Sequence, residues 1–350
     1  MDNRTALVAG ARGIVGRNLI DRLLELGTWN VIGVSRSPHR CGGSYSHLCI
    51  DLLDREACRK TFAELRNVTN VFFAARAPNA DPVEEANANQ AMLANLLEPI
   101  EANNPSLLHV HLVHGSKWYG SQFGPYKTPA RESDPRGFGR HFYFDQQDYV
   151  EKRQAGKKWS WSAVRPHGVY GYSVGYPHNI MTLLAVYAVV SRELGLPLRY
   201  PGKLAAFTAL SQATDVRLLA NSMIWASTMP QCSNQAFNVG NGDNFRWQNV
   251  WPRIAKFFLM ECGAVQEIKM AALMPKLEPI WDSVVKKHSL LANSYQDLAS
   301  WAYGDRIFSV DWDNVYSLTK IRATGFNEFV DTEDMILRLL KDFRERRVIP

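Results

Sequence analysis

The chain has no long apolar run, no closely spaced cysteines and no block of like charge. Its longest apolar stretch, Ile180 to Val190, is interrupted by Thr182 and falls well short of the ~20 residues a membrane-spanning helix requires. The N-terminus passes into an apolar strand pattern within a few residues, so no signal peptide is expected. Cys41, Cys49, Cys58, Cys232 and Cys262 are odd in number and scattered, which argues against a disulfide framework, a redox pair or a zinc site. Lys and Arg exceed Asp and Glu by only 40 to 34, giving +6 over 350 residues. The densest basic group, Arg344-Glu-Arg-Arg347, reads as the solvated end of a helix rather than a nucleic-acid footprint. These absences predict a soluble, cytoplasmic protein with no metal, no nucleic-acid partner and no membrane partner. Oligomeric state is not legible, and a homodimer stays open.

What is present is a core-forming composition, 46% hydrophobic, in an alternating β/α pattern. Apolar strand runs at Thr5–Ala9, Val31–Val34, Leu48–Asp51, Val71–Phe73, Leu107–Val113 and Trp161–Val164 alternate with helical stretches at Arg55–Leu65, Pro82–Ala102 and Tyr143–Gln154. That order predicts an α/β, Rossmann-like, doubly wound parallel sheet. Beyond Gly171 the spacing changes to helices, with a short strand at Ala236–Val239 and a last helix over Asp331–Arg346. The expected division is a dinucleotide-binding domain over residues 1–170 and a smaller, mainly helical substrate lobe over 171–350, interleaved with the end of the sheet.

Between the first strand and first helix lies Gly10-Ala-Arg12-Gly13-Ile14-Val15-Gly16. In that context the first glycine permits a tight turn, the second lets a pyrophosphate approach the backbone, and the third lets helix pack on strand. About 20 residues on, where an acid selects NAD and an arginine selects NADP, the chain reads Ser35-Arg36-Ser37. No Asp or Glu occurs between Glu25 and Asp51. Arg36 suits a 2′-phosphate, with Ser35 and Ser37 as further donors, so NADPH is the expected cofactor. The competing reading makes Arg36 an ordinary solvated loop residue. Asp51 can accept from an adenine amino group or cap the next helix. Leu52, Ala74 and Ala75, at strand ends, complete the expected cofactor contacts.

The reactive end lacks the usual dyad. Tyr-x-x-x-Lys occurs only at Tyr316-Ser-Leu-Thr-Lys320, far beyond the βα units, and reads as chance surface residues on a helix. Two other segments offer candidates: His114-Gly-Ser-Lys117-Trp118-Tyr119, after the fifth strand, and His141-Phe-Tyr143-Phe144, opening the next helix. A lysine at a strand end can steady an enolate oxygen. His109 and His111 alternate along one strand and read as packed, hydrogen-bonded residues.

On Gly10–Gly16, Gly33-Val-Ser-Arg36, Gly115-Ser-Lys117-Trp-Tyr119, Phe142-Tyr-Phe-Asp-Gln-Gln-Asp148, Arg165-Pro-His-Gly-Val-Tyr-Gly171, Ala236-Phe-Asn-Val239 and Phe245-Arg-Trp247, the chain resembles the progesterone 5β-reductase/iridoid synthase-like group of atypical short-chain reductases. Members reduce the C=C bond of enones and enals with NADPH. The resemblance implies that Lys117 is the catalytic lysine, that Arg36 meets the 2′-phosphate, and that Pro166 to Val169 lie along the nicotinamide. It departs at two places beside that ring. Phe144 stands where the family has its catalytic tyrosine, and His114 stands where a small hydroxyl residue is usual.

Three readings follow from Phe144. Tyr143 supplies the phenol, although one helix position turns a side chain by about 100°; His114 or Tyr119 donates instead; or Lys117 acts with water alone and the family chemistry has been lost. Tyr143 is carried forward with Lys117. Trp118, Tyr119, Phe144, Tyr172 and Tyr176 are the expected lining of a flat apolar pocket, the alternative being core packing. The expected function is NADPH-dependent 1,4-reduction of a small enal or enone. Carbonyl reduction, epimerase-like chemistry and a catalytically impaired NADPH-binding regulator are the competing readings.

Overall fold

Seven parallel strands form one sheet in the order β3-β2-β1-β4-β5-β6-β9, in a computed structural model that describes residues 4–37, 45–173, 175, 178–291 and 293–350. The strands are β1 (Arg4–Ala9), β2 (Trp29–Ser35), β3 (Ser46–Cys49), β4 (Asn70–Phe73), β5 (His109–Val113), β6 (Ser160–Pro166) and β9 (Gln235–Val239). Two short strands outside the sheet, β7 (Val169–Tyr170) and β8 (Thr214–Asp215), pair with each other. Thr5 to Ala9 are all buried, which is why β1 reads as a continuous apolar run rather than an alternating one.

Helix α1 (Ile14–Leu26) packs against the helix Val216–Thr228 on one face of the sheet. The other face carries α2 (Arg55–Ala63), α3 (Pro82–Asn103) and α4 (Phe142–Gln154). Asp54 and Asp81 cap α2 and α3 by accepting from backbone amides of the first turn. Strand order reverses between β1 and β4, so a crevice opens at their carboxyl ends, where such sheets bind ligands.

Six strands are expected from the sequence, with Ala236–Val239 assigned to the lobe; that segment instead forms a seventh strand in register with β6, Val164 opposite Phe237. A segment this short amid helices, Gln235-Ala-Phe-Asn-Val239, does not reveal its partner by itself. A second core gathers α5 (Ile180–Glu193), the helix Trp247–Phe257 and the last helix, Thr332–Glu345. Twelve of the fourteen residues of α5 are buried, so its apolar run is that of a helix enclosed on all sides. Among the described residues no helix is long and apolar enough to cross a membrane, and no group of three or more His, Cys, Asp or Glu could hold a metal ion. His109 and His111 hydrogen-bond to Ser160 and Ser162 at 2.7–2.8 Å, as packed strand residues.

Candidate active site

At the turn after β1, Gly10 adopts φ +82°, a left-handed conformation that side chains rarely take. A methyl on it would sit 2.7 Å from the Ala74 carbonyl oxygen, and one on Gly16 would collide with the Gly10 carbonyl. Gly13 caps α1 without any side-chain acceptor. The first-turn amides of Ile14, Val15 and Gly16 therefore present the positive end of the helix to an anion, with Arg12 exposed beside them. The cradle fits a pyrophosphate.

At the end of β2, Ser35 Oγ donates to the Ser37 carbonyl (2.9 Å) and lies 3.0 Å from His47 Nε2. Arg36 is exposed, and its carbonyl accepts from Cys49 Sγ at 3.2 Å. Asp51 does not cap α2, since that role belongs to Asp54. Its Oδ1 accepts from Leu53 N at 3.0 Å in a local turn. Leu52 is buried beneath it. Ala74 continues from β4, its N–H donating to Ala9 O at 3.0 Å, and Ala75 follows at the mouth of the crevice.

Beyond β5 the backbone tightens into a 3-10 turn over Ser116–Tyr119. Lys117 is partly buried on this turn, and its proton affinity is lowered first by burial and then by the Arg76 guanidinium. Among the described residues the carboxylate acting on it is Glu85, which is paired with Arg76 at 2.6 Å. At the start of α4, His141 Nδ1 accepts from Tyr143 N at 3.2 Å, which fixes the rotation of the first helical turn. Tyr143 then directs its hydroxyl at Gly115, where an added methyl would meet it at 3.2 Å and Pro166 O at 3.7 Å. The phenol thus lies where β5 and β6 end.

One position further round the helix, Phe144 turns into the core and packs edge-on against Trp118, 5.1 Å between ring centroids. Trp118 stacks on His114 at 5.2 Å and carries the Arg165 guanidinium over its ring at 3.7 Å. The Tyr119 hydroxyl donates to Asn238 Oδ1 (2.6 Å) and accepts from Arg165 (3.2 Å). The expected pocket lining is therefore corrected. Trp118, Tyr119 and Phe144 are core residues, because the 3-10 turn folds the first two back under the sheet end and helical rotation points the third at them.

Tyr172 is not in this site either. Its ring packs on Phe343 and under Arg346, while its carbonyl accepts from Asn18. Tyr176 lies outside the described residues. His114 is enclosed, with both ring nitrogens buried and Tyr143 tilted over it at 5.0 Å. Burial first, and then the Arg165 charge, hold it well below the usual histidine range, so the ring is neutral.

Tyr316 also departs from expectation. It is not on a helix surface but buried ahead of the short helix Thr319–Ala323, its ring 5.1 Å from that of His167. Lys320 turns away to bond Ala236 O at 3.0 Å, so the pair is no dyad. The residues between them do not form one continuous helix, and the regular i,i+4 geometry is lost.

From Pro166 the chain runs through His167, whose N–H donates to Val239 O (3.1 Å), to Gly168 and Val169. His167 and Gly168 form one wall of a cavity whose other walls come from later in the chain: Ile180, Trp247, Tyr303 and Trp312. Among the described residues, none of its lining side chains carries a charge. Of this lining, sequence reasoning names His167 and Gly168 within the Pro166–Val169 segment and meets Trp247 only as part of Phe245-Arg-Trp247, without assigning it to a site; Tyr303 and Trp312 are brought in by packing and carry no motif.

Compared with known proteins, residues 49–350 match the family model described as a PRISE-like Rossmann-fold domain. The chain is 30% identical to an (S)-8-oxocitronellyl enol synthase of Nepeta racemosa, over 99% of this chain and 93% of the other. It is also 30% identical to a 3-oxo-Δ(4,5)-steroid 5β-reductase of Arabidopsis thaliana, with the same coverage. Among solved structures, a UDP-glucose 4-epimerase of Thermotoga maritima superposes with TM-score 0.71 at 16% identity, covering 97% of this chain and 99% of that one. At that identity the likeness speaks for the fold alone.

Proposed function

The chain belongs to the PRISE-like Rossmann-fold family, within the short-chain dehydrogenase/reductase enzymes, and on that premise we propose that it reduces the C=C bond of an α,β-unsaturated aldehyde or ketone with NADPH. Gly10 to Gly16 and the uncapped start of α1 hold the pyrophosphate. Arg36, Ser35 and Ser37 receive the 2′-phosphate, Asp51 and Leu52 the adenine, and Ala74, Ala75 and the Pro166–Val169 segment the nicotinamide half. When bound, NADPH supplies the hydride that the β-carbon accepts.

Negative charge then develops on the substrate carbonyl oxygen, and the Lys117 ammonium stands ready to stabilise it. A fixed donor to such an oxygen contributes ~3–4 kcal/mol to the barrier reduction. Burial raises the value of that charge by keeping water from screening it. Tyr143 orients the enol oxygen or returns a proton. His114 and Tyr119 are poor alternatives, the first because it is sealed behind Tyr143, the second because its hydroxyl is committed to Asn238 and Arg165.

The observation that carries this reading is the rotation of α4, which turns Tyr143 rather than Phe144 toward Gly115 at the end of β5, where the Lys117 turn begins. The test follows NADPH consumption against enals, enones and saturated aldehydes. The native chain is expected to turn over enals or enones, Lys117→Ala to lose ~10²-fold or more in kcat, and Tyr143→Phe to lose ~10²-fold. Tight NADPH binding without turnover of any carbonyl compound would favour a cofactor-binding regulator. Saturated aldehydes as the better substrates would favour carbonyl reduction.

A further inference from the structure

Three cations gather between the Lys117 turn and the cavity beside His167. Lys117 feels the charges of Arg76 and Arg306, and the carboxylate opposing them among the described residues, Glu85, is already taken by Arg76. Arg306 stands on the short helix Trp301–Ile307, where its guanidinium lies over the Tyr303 ring, 5.2 Å from the centroid. The carboxylate of neighbouring Asp305 is turned to the Met270 and Ala271 amides instead, at 2.7 and 3.1 Å. Among the described residues Arg306 makes no ion pair. Tyr303 is itself a wall of the cavity, and His178 meets its ring edge-on at 5.5 Å. The same three charges converge on His178: burial first, then Arg306, Arg76 and Lys117, hold its imidazole below the usual range.

Like charges brought together in a partly desolvated cleft repel one another, and an anion placed among them relieves that repulsion. Hydride transfer to a neutral enal does not need the surplus, since one ammonium serves one enolate oxygen. We propose that Arg306 is the specificity residue of an anionic subsite at this rim, and that the substrate is an enal or enone whose far end carries a carboxylate. A guanidinium held over an aromatic ring keeps its N–H fork for a planar carboxylate, which it meets bidentately. The uncharged surface of Ile180, Trp247 and Tyr303 suits the hydrocarbon between the two ends. Only the enal end of this substrate class rests on the reductase reading; the anionic end rests on the charges around Arg306.

Two readouts test the subsite. In the first, the protein saturated with NADP is titrated calorimetrically with hexanoate and with hexanamide, which are nearly equal in shape but differ in charge. Hexanoate is expected to bind about tenfold more tightly, and the advantage is expected to shrink as salt rises from about 0.05 M to about 0.5 M. Arg306→Gln should abolish the advantage, and Arg306→Lys should keep part of it. In the second readout, kcat/KM is compared for straight-chain 2-enals of several lengths that end in a carboxylate or in its methyl ester. One length is expected to favour the carboxylate by about tenfold, a preference that disappears in Arg306→Gln. A hexanoate advantage that survives Arg306→Gln but is lost in Lys117→Met gives the anion to Lys117 alone and overturns the proposal. A loss of NADP affinity in Arg306→Gln also overturns it, by making the arginine a cofactor ligand. Equal binding of the two probes, or enals reduced without regard to charge, overturns the subsite and leaves the reductase reading standing. A chain that reduces no enal yet binds hexanoate through Arg306 keeps the subsite and loses the reductase reading.

Discussion

Acidification from pH 7 to pH 5 puts the buried histidines to a quantitative test. Burial is the leading cause that depresses both His109 and His141, each to about 3, whereas an imidazole in the unfolded chain titrates near ~6.5. Above that value neither state binds the proton and stability is unaffected. As pH falls through ~6.5 the unfolded chain takes up a proton that the folded chain refuses, and stability is lost until the folded form also titrates near pH 3. At pH 5 each group has cost ~1.5 pH units at 1.36 kcal/mol per unit, about 2 kcal/mol, or roughly 4 kcal/mol for the pair. That is a large part of the ~5–15 kcal/mol that holds a typical domain together. His111 and His114, also held well below the usual range by burial, push in the same direction.

His141 isolates one share of this loss, because its neutral Nδ1 caps α4 at Tyr143 N. His141→Asn keeps a capping acceptor but cannot titrate. Urea denaturation followed by far-UV circular dichroism at both pH values should give a pH 7 to pH 5 difference smaller by about 2 kcal/mol in the variant than in the parent. Equal differences would refute the neutral-cap assignment. A parent equally stable at both pH values would refute the burial argument as a whole.

Other perturbations follow from the site. Gly16→Ala drives a methyl into the Gly10 carbonyl, so NADPH binding measured by calorimetry should be lost or the melting temperature should fall. Arg36→Ala should weaken NADPH by ~10–100-fold while leaving NADH nearly unchanged, the loss expected for charge-assisted hydrogen bonds; equal weakening of both would make Arg36 a bystander. Phe144→Ala should cost ~3–5 kcal/mol in denaturant titrations, and Phe144→Tyr should not restore turnover to Tyr143→Phe, since position 144 faces Trp118. Because Lys117 binds its proton less tightly than an ordinary lysine, the pH–rate profile should fall on the alkaline side below ~10.4, and this limb should vanish from the residual activity of Lys117→Ala.

The βα alternation and glycine turn were legible because both depend on local rules. Strand, turn and helix follow from residues within a few positions of one another, and Gly10 is required by a backbone angle. The NADPH expectation likewise came from a short window around Arg36. The roles of Trp118, Tyr119, Phe144 and Tyr172 were not legible in this way. An aromatic residue near a candidate lysine suits a pocket or a core equally well, and the choice depends on neighbours tens to hundreds of residues away, such as Arg165, Asn238 and Phe343. Tyr316 was misread for the same reason: nothing local indicates that its segment bridges to Ala130 and lies against His167.

The sequence by itself determined the parallel sheet, the glycine turn at Gly10–Gly16 and the position of Lys117 after the fifth strand, because each is encoded by periodicity or by a turn. Only the tertiary structure decided which of Tyr143 and Phe144 turns to the strand ends, that the seventh strand comes from Gln235–Val239, and that Trp312 closes a cavity against His167. Those outcomes depend on helix rotation and on packing between distant segments. Rotation at α4 is set by a cap and by side chains meeting across elements, which no window along the chain contains.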